Sequence, residues 1–259
     1  MSGQRPVRIA LLGASGRMGQ AVLDAAAGQQ DLCITAALVG QGSASINKSS
    51  HGLTYGTDLS AALAQADVLV DFSLPESTAK ALDACLAAGK PLVTGVTGLD
   101  AALKARLAEA GKRIPVLAAP NMSLGVALLS RMVEQAAQVL GPDFDIEISE
   151  AHHKHKKDAP SGTALALAEV MSQARGHAVP APGTDRRGLR EPGSIGFAVV
   201  RAGDIVGEHT VLFAGTGERL ELSHRAQSRA TFAHGALSAA RWVAGKPAAI
   251  YTLADTLQV

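Results

Sequence analysis

The sequence predicts an α/β protein in which a doubly wound parallel sheet is followed by a smaller α+β domain with a mixed or antiparallel sheet. Three observations carry that prediction. Short apolar runs alternate with helical stretches as far as Ala118, later strands alternate apolar with polar residues, and a glycine-rich turn joins the first apolar run to the first helix.

The elements follow in order. Val7 to Leu12 (VRIALL) is a compact apolar run ending at Gly13, and Arg17 to Ala27 has helical composition, so the chain opens as strand, glycine turn and helix. Leu32 to Val39 reads as the second strand, Leu59 to Ala66 as a helix and Val68 to Phe72 as a buried strand. Pro75 to Ala88 is expected to be a helix with Ala81, Leu82 and Cys85 toward the sheet. Pro91 to Thr94 and Pro115 to Ala118 are strands, with a helix over Ala101 to Ala110 between them. Such alternation implies crossover connections, hence parallel strands with helices on both faces.

The pattern changes at Asn121 to Gly125, which sets a first domain over residues 1–124. In a second, over 125–230, Val126 to Leu140 forms a long amphipathic helix. Phe144 to Ser149 then sets Phe144, Ile146 and Ile148 against Asp145, Glu147 and Ser149, the period of a strand with one solvated face. A helix over Thr163 to Gln173 precedes a Pro- and Gly-rich connection, Gly176 to Gly193, expected to be a flexible surface segment near the site. Strands over Ile195 to Val200, Glu208 to Ala214 and Arg219 to Ser223 follow. Ala202-Gly203-Asp204 and Gly215-Thr216-Gly217 join them as hairpin-type connections. Residues 231–259, with a helix over Phe232 to Ala244 and a strand over Ala249 to Leu253, are expected to return to the first domain.

Composition narrows the function. Hydrophobic residues make up 47% of the chain and aromatics 3%, so Ala, Leu and Val must fill the core. With 24 basic and 23 acidic residues the net charge is +1, which gives no field to hold nucleic acid or an anionic membrane. A small-molecule partner is expected instead. No signal-peptide pattern and no run approaching the roughly 18 apolar residues of a membrane span are present, so a cytoplasmic location is expected. Cys33 and Cys85 both sit in apolar surroundings and read as reduced core residues.

Gly13-Ala14-Ser15-Gly16-Arg17-Met18-Gly19 closes a strand and opens a helix, the setting in which helix N–H groups hold a pyrophosphate. The first domain is therefore read as Rossmann-like and dinucleotide-binding, with GxxGxxG in place of GxGxxG. An NAD site usually carries Asp or Glu at the end of strand two, yet Leu38-Val39-Gly40-Gln41-Gly42 holds none. Arg17 and Lys48 are candidates for a 2′-phosphate, which favours NADPH. Gly95-Val96-Thr97 follows a strand with residues small enough for backbone to approach a nicotinamide, and Ala119-Pro120-Asn121-Met122 follows the next, with Asn121 a candidate for the carboxamide. Asp71-Phe72-Ser73 is a third such turn, equally readable as an ordinary connection.

Glu150 to Ala164 (EAHHKHKKDAPSGTA) gathers three histidines and three lysines in one short loop. His152, His153 and His155 could trade protons near neutrality, while Lys154, Lys156 and Lys157 could hold an anion and would repel a metal dication. Successive residues of an extended loop point apart, so at most a subset shares one pocket. Pro160-Ser161-Gly162-Thr163 reads as a helix start whose N–H groups, glycine and hydroxyls suit a substrate carboxylate. On these residues alone a dehydrogenase of some amino or keto diacid and a non-catalytic NADP-binding redox sensor both stay open.

With both motifs in view the chain resembles the dihydrodipicolinate reductase family, also described as the 4-hydroxy-tetrahydrodipicolinate reductases of the diaminopimelate route to lysine. The likeness runs nearly end to end. It includes GASGRMG at 13–19, TGVTG at 94–98, APNMSLGV at 119–126, the histidine motif at 150–164 and IGFAVVRAGDIVGEHTVLFAG at 195–215. The resemblance implies an oxidoreductase in which NADH or NADPH delivers hydride to C4 of a cyclic dicarboxylated imine. It implies that His152 is a proton donor or acceptor, Lys156 a proton donor, and His153, Gly162 and Thr163 substrate contacts. Gly13, Ala14, Ser15, Gly16, Arg17 and Met18, Gly95 to Thr97 and Ala119 to Met122 correspond to cofactor contacts, and the assembly to a homotetramer. The family's acidic residue after strand two falls at Val39 and its basic neighbour at Gly40.

Overall fold

The computed structural model describes residues 5–176 and 187–257, so residues 177–186 of the expected flexible connection lie outside the described part. In chain order the elements begin β1 (Val7–Leu12), α1 (Arg17–Ala26), β2 (Leu32–Leu38), β3 (Ser49–Ser50), β4 (Leu53–Gly56), α2 (Leu59–Gln65), β5 (Val68–Asp71), α3 (Pro75–Ala88), β6 (Leu92–Thr94), α4 (Ala101–Ala110) and β7 (Pro115–Ala118). They continue α5 (Leu124–Leu140), β8 (Asp145–His152), α6 (Gly162–Ala174), β9 (Ile195–Arg201), β10 (Gly207–Ala214), β11 (Arg219–Ala226), α7 (Ala230–Val243) and β12 (Ala249–Tyr251). Two compact units result, Met1–Leu124 with Arg229–Val259, and Gly125–Ser228.

The first unit is the expected doubly wound sheet, in the order β12-β7-β6-β5-β1-β2-β4-β3. All neighbours are parallel except β3 with β4. Strands β1 and β5 are largely apolar because helices cover both faces, and Ile9, Leu11, Val68 and Val70 are wholly buried. Ala81, Leu82 and Cys85 of α3 do face the core. Helix starts are set locally: the carboxylates of Asp58 and Asp100 accept from the N–H groups of Ala61 and Leu103. Pro75 opens α3 and Gly89, at φ +63°, closes it. Successive strands run outward from β1 through β2 to β4, then resume on its other side at β5, so the order reverses between β1 and β5. That reversal opens a crevice at their carboxyl ends. The short strands β3 and β4 were not expected from the sequence; β4 extends the sheet beside β2.

The second unit is a mixed sheet in the order β11-β10-β8-β9. The hairpin at Gly215 to Gly217 is present, with Gly215 N–H donating to Glu218 O at 3.0 Å. The one expected at Ala202 to Asp204 is not. Strand β8 lies between β9 and β10, parallel to the first and antiparallel to the second. Leaving β8 beside β9 lets both bury apolar faces on one core, where Ile146, Ile148, Phe197, Val211 and Phe213 meet Leu129 and Val133 of α5 and Leu167 and Met171 of α6. Among the described residues no helix is long and apolar enough to cross a membrane.

Candidate active site

On the first unit the glycine turn lies at the carboxyl end of β1. Gly13 has φ +83°, and a Cβ there would stand 2.5 Å from the Phe72 carbonyl oxygen, so only glycine lets β1 turn this tightly against the β5 connection. Gly19 is equally required, since its Cβ would come 2.2 Å from the Gly13 oxygen. Gly16 caps α1 with no side chain, which leaves the helix start without a side-chain acceptor, while Ser15, Gly16 and Arg17 are exposed. A backbone cradle of this kind fits a pyrophosphate. Ala14 is buried and Met18 half-buried, so they shape the turn more than they face outward.

Beside it, Asp71 is 0% exposed at the end of β5. Its carboxyl accepts from the Ser73 N–H and hydroxyl, from Thr78 Oγ1 at 2.7 Å and from Thr94 Oγ1 at 3.3 Å. Burial raises its pKa, against the pull of Ser73, Thr78 and Thr94. Thr94 Oγ1 in turn accepts from the Val96 N–H at 3.3 Å, so one carboxyl ties the connections after β5 and β6 together. Gly95 faces Phe72, whose ring would lie 2.3 Å from a Cβ, Val96 is buried and Thr97 exposed. Ala119 and Met122 are buried, Pro120 is exposed, and Asn121 Oδ1 accepts from the Ser123 N–H at 2.9 Å. A cavity of about 390 Å³ is lined by Thr94, Val96, Thr97, Ala119, Pro120 and residues of α4. Lys48 is exposed beyond β2.

On the second unit β8 runs three residues further than the alternation predicts, so Glu150, Ala151 and His152 belong to the strand and not to a loop. Its inward positions are Ile146, Ile148, Glu150 and His152: the apolar face ends in a carboxylate and an imidazole. Glu150 is 2% exposed. Its Oε2 accepts from His152 Nδ1 at 2.6 Å and Arg201 Nη1 at 2.8 Å, and its Oε1 from Arg201 Nη2 at 2.7 Å and the Ser161 N–H at 3.0 Å. Burial alone would push this carboxyl up, but Arg201 and His152 bring it below its ordinary value. Burial lowers the pKa of His152; Glu150 opposes the shift, while Lys156 and Arg201 add to it.

Ser161 is buried at the start of α6. Its hydroxyl caps the Ala164 N–H at 3.2 Å and meets His209 Nε2 at 3.1 Å. Gly162 is exposed and Thr163 half-buried at the first turn. Lys156 Nζ pairs with Asp158 Oδ2 at 2.9 Å, and the Asp158 carbonyl accepts from Arg201 Nη2 at 2.6 Å. His153 is half-buried with its ring 6.2 Å from that of His155, while Lys154, His155 and Lys157 are exposed. Among the described residues no group of three or more His, Cys, Asp or Glu is arranged to hold a metal ion.

Sequence reasoning missed Arg201 and His209. Both had a signal. His209 occupies an inward position with Val211 and Phe213 in the alternating run of β10, opposite Glu150, and Arg201 stands in register with His152.

A dinucleotide cradle on a doubly wound sheet, joined in one chain to a buried carboxylate–imidazole pair flanked by arginine and lysine, is the make-up of a nicotinamide-dependent oxidoreductase. The family model described as dihydrodipicolinate reductase, N-terminus, matches residues 7–122, and that described as dihydrodipicolinate reductase, C-terminus, matches residues 125–257. A 4-hydroxy-tetrahydrodipicolinate reductase of Thiobacillus denitrificans is 50% identical over 97% of this chain and 98% of its own length. That of Pseudomonas fluorescens is 47% identical over 97% and 99%. Among solved structures, dipicolinate-bound dihydrodipicolinate reductase from Paenisporosarcina sp. TG-14 shares the fold with TM-score 0.79 and 24% identity, covering 97% of this chain and 100% of that one. The chain belongs to the dihydrodipicolinate reductase family.

Proposed function

We propose that this enzyme reduces 4-hydroxy-tetrahydrodipicolinate, through dihydrodipicolinate, to tetrahydrodipicolinate in the diaminopimelate route to lysine, using NADPH or NADH. The observation that carries the site assignment is the buried Glu150 carboxylate, which bonds the His152 imidazole and the Ser161 N–H at once and so sets a proton-exchanging ring beside a helix start. Held by the Gly13 to Met18 turn, a reduced nicotinamide dinucleotide would supply the hydride for C4 of the conjugated imine. Electron density then develops on nitrogen and C3, where a proton must arrive.

His152 and Lys156 are assigned to that proton transfer. Because its pKa is lowered by burial, protonated His152 is a stronger acid than free imidazole, while Lys156 is steered by Asp158. His153 and the α6 start at Ser161, Gly162 and Thr163 are assigned to the substrate carboxylates; Ser161, with its hydroxyl engaged as cap, contributes by fixing the turn. The cofactor contacts are Gly13 to Met18, Gly95 to Thr97 and Ala119 to Met122. No acid follows β2, and exposed Arg17 and Lys48 favour a 2′-phosphate. We further propose a cytoplasmic homotetramer joined through the second unit's sheet, whose outward face on β10 leaves Leu212 half-covered.

His152→Ala and Lys156→Ala should each lower kcat on the order of 10²-fold or more while NADPH affinity stays within about twofold. Full activity in both variants would overturn the assignment. Light scattering after size exclusion reads the tetramer, and a monomer of the 26.4 kDa chain would remove it.

A further inference from the structure

We propose that Glu150 is the positioning residue of this site and Arg201 its electrostatic counterweight: together they hold His152 with its proton on Nδ1 and leave Nε2 as the atom that exchanges protons. This rests on the reading of His152 as the proton-transfer group. The geometry is a closed set. Glu150 is fully shielded at its side chain and meets four donors, two on each oxygen, so both carboxylate oxygens are occupied on both sides. An ionised carboxylate only accepts, so His152 Nδ1 must donate and Nε2 must carry the lone pair of the neutral ring. Nε2 turns toward Gly207, where a Cβ would stand 3.2 Å away, so glycine keeps a side chain from crowding that nitrogen.

The same four bonds join separate parts of the chain. His152 lies two residues along β8, Arg201 on β9 and Ser161 at the α6 start, while Arg201 also binds the Asp158 carbonyl. A rotation of Glu150 would therefore release the imidazole, the helix start and the lysine-bearing loop together. The bidentate arginine also limits how much charge the carboxylate lends the imidazole. Around His152 the facing groups are Glu150 on β8, Arg201 on β9, His209 on β10 with its ring 5.2 Å away, and Lys156 in the following loop. His224 on β11 acts on His209. Removing Glu150 leaves Lys156 and Arg201 to repel imidazolium, whereas removing Arg201 leaves the carboxylate unopposed. The two losses thus pull His152 in opposite directions.

The test is a pair of variants read in two ways. Glu150→Gln cannot accept from all four donors, since whichever position its oxygen takes, its amide NH₂ faces two of them, an Arg201 N–H among them. It should lower kcat on the order of 10²-fold, leave KM for NADPH within about twofold, and move the midpoint of the alkaline limb of kcat to lower pH. Arg201→Gln should move that midpoint to higher pH. A merely structural role would scale both profiles without moving their midpoints, and midpoints that stay in place would overturn the proposal. Long-range ¹⁵N–¹H spectra of histidine-labelled protein read the tautomer without any turnover, the His152 signal being the one absent from His152→Ala. Wild-type His152 should carry its proton on Nδ1, and Glu150→Gln should lose that preference. A wild-type ring protonated on Nε2 alone would overturn the idea even if neither variant folds. A fully active His152→Ala would instead sink the catalytic reading and leave the tautomer result intact.

Discussion

Replacing His209 with glutamine should flatten the acid side of the protein's stability curve. His209 is 3% exposed on β10, bonds Ser161 through Nε2, and leaves Nδ1 without a hydrogen-bond partner among the described residues. Burial, helped by repulsion from His152, pushes its pKa down to about 4 from 6.5. The unfolded chain therefore takes up this proton near pH 6.5 and the folded chain only near pH 4, so between those values the unfolded state binds more protons. Stability is present above the unfolded value and is lost as pH falls, levelling off below about 4. At about 1.4 kcal/mol per pH unit the gap sets a ceiling of roughly 3 kcal/mol, of which roughly 2 kcal/mol disappears between pH 8 and pH 5. Urea unfolding of wild type and His209→Gln at several pH values isolates this share, because every other titrating group is common to both. Glutamine offers both a donor and an acceptor to the Ser161 hydroxyl. If the two stability curves run parallel from pH 8 to pH 5, the buried neutral imidazole is not the cause and the reasoning fails.

Two further outcomes follow from the site's backbone. Gly13→Ala forces a side chain to φ +83° and within 2.5 Å of the Phe72 oxygen, so NADPH affinity should fall by about 10-fold or more and the melting temperature by several degrees; a fluorescence titration that returns the wild-type Kd would deny the turn its role. Ser161→Ala removes the cap of α6 and the partner of His209, and should cost about 1 to 3 kcal/mol in a urea melt, with no loss expected if α6 holds its start by other means.

Where local pattern and burial agree, the elements were legible. Val7–Leu12, Pro75–Ala88, Ala101–Ala110 and Pro115–Ala118 fall where the runs and breakers place them. Strand β4 was not legible, because four residues ending at Gly56 carry no period; its Tyr55 is held by a bond from Gln20, which also reaches the Ala14 carbonyl. The end of β8 was misread for a different reason. Glutamate and histidine do not look like core residues, so the alternation reads as stopping at Ser149, yet Arg201 and the Ser161 N–H satisfy the Glu150 carboxylate, Glu150 satisfies His152, and the strand continues inward through His152.

The sequence by itself determined the doubly wound sheet, the glycine turn and the identity of the histidine motif, because periodicity, turn chemistry and residue type are properties of short stretches of chain. Tertiary structure alone decided that β8 lies between β9 and β10, against the apparent hairpin at Ala202 to Asp204. Alternation fixes which face a strand buries but not which strand lies beside it, since pairing is settled by burial across distant segments. That choice brings Arg201 and His209 to Glu150 and His152, and gathers titratable residues from three strands around one buried carboxylate.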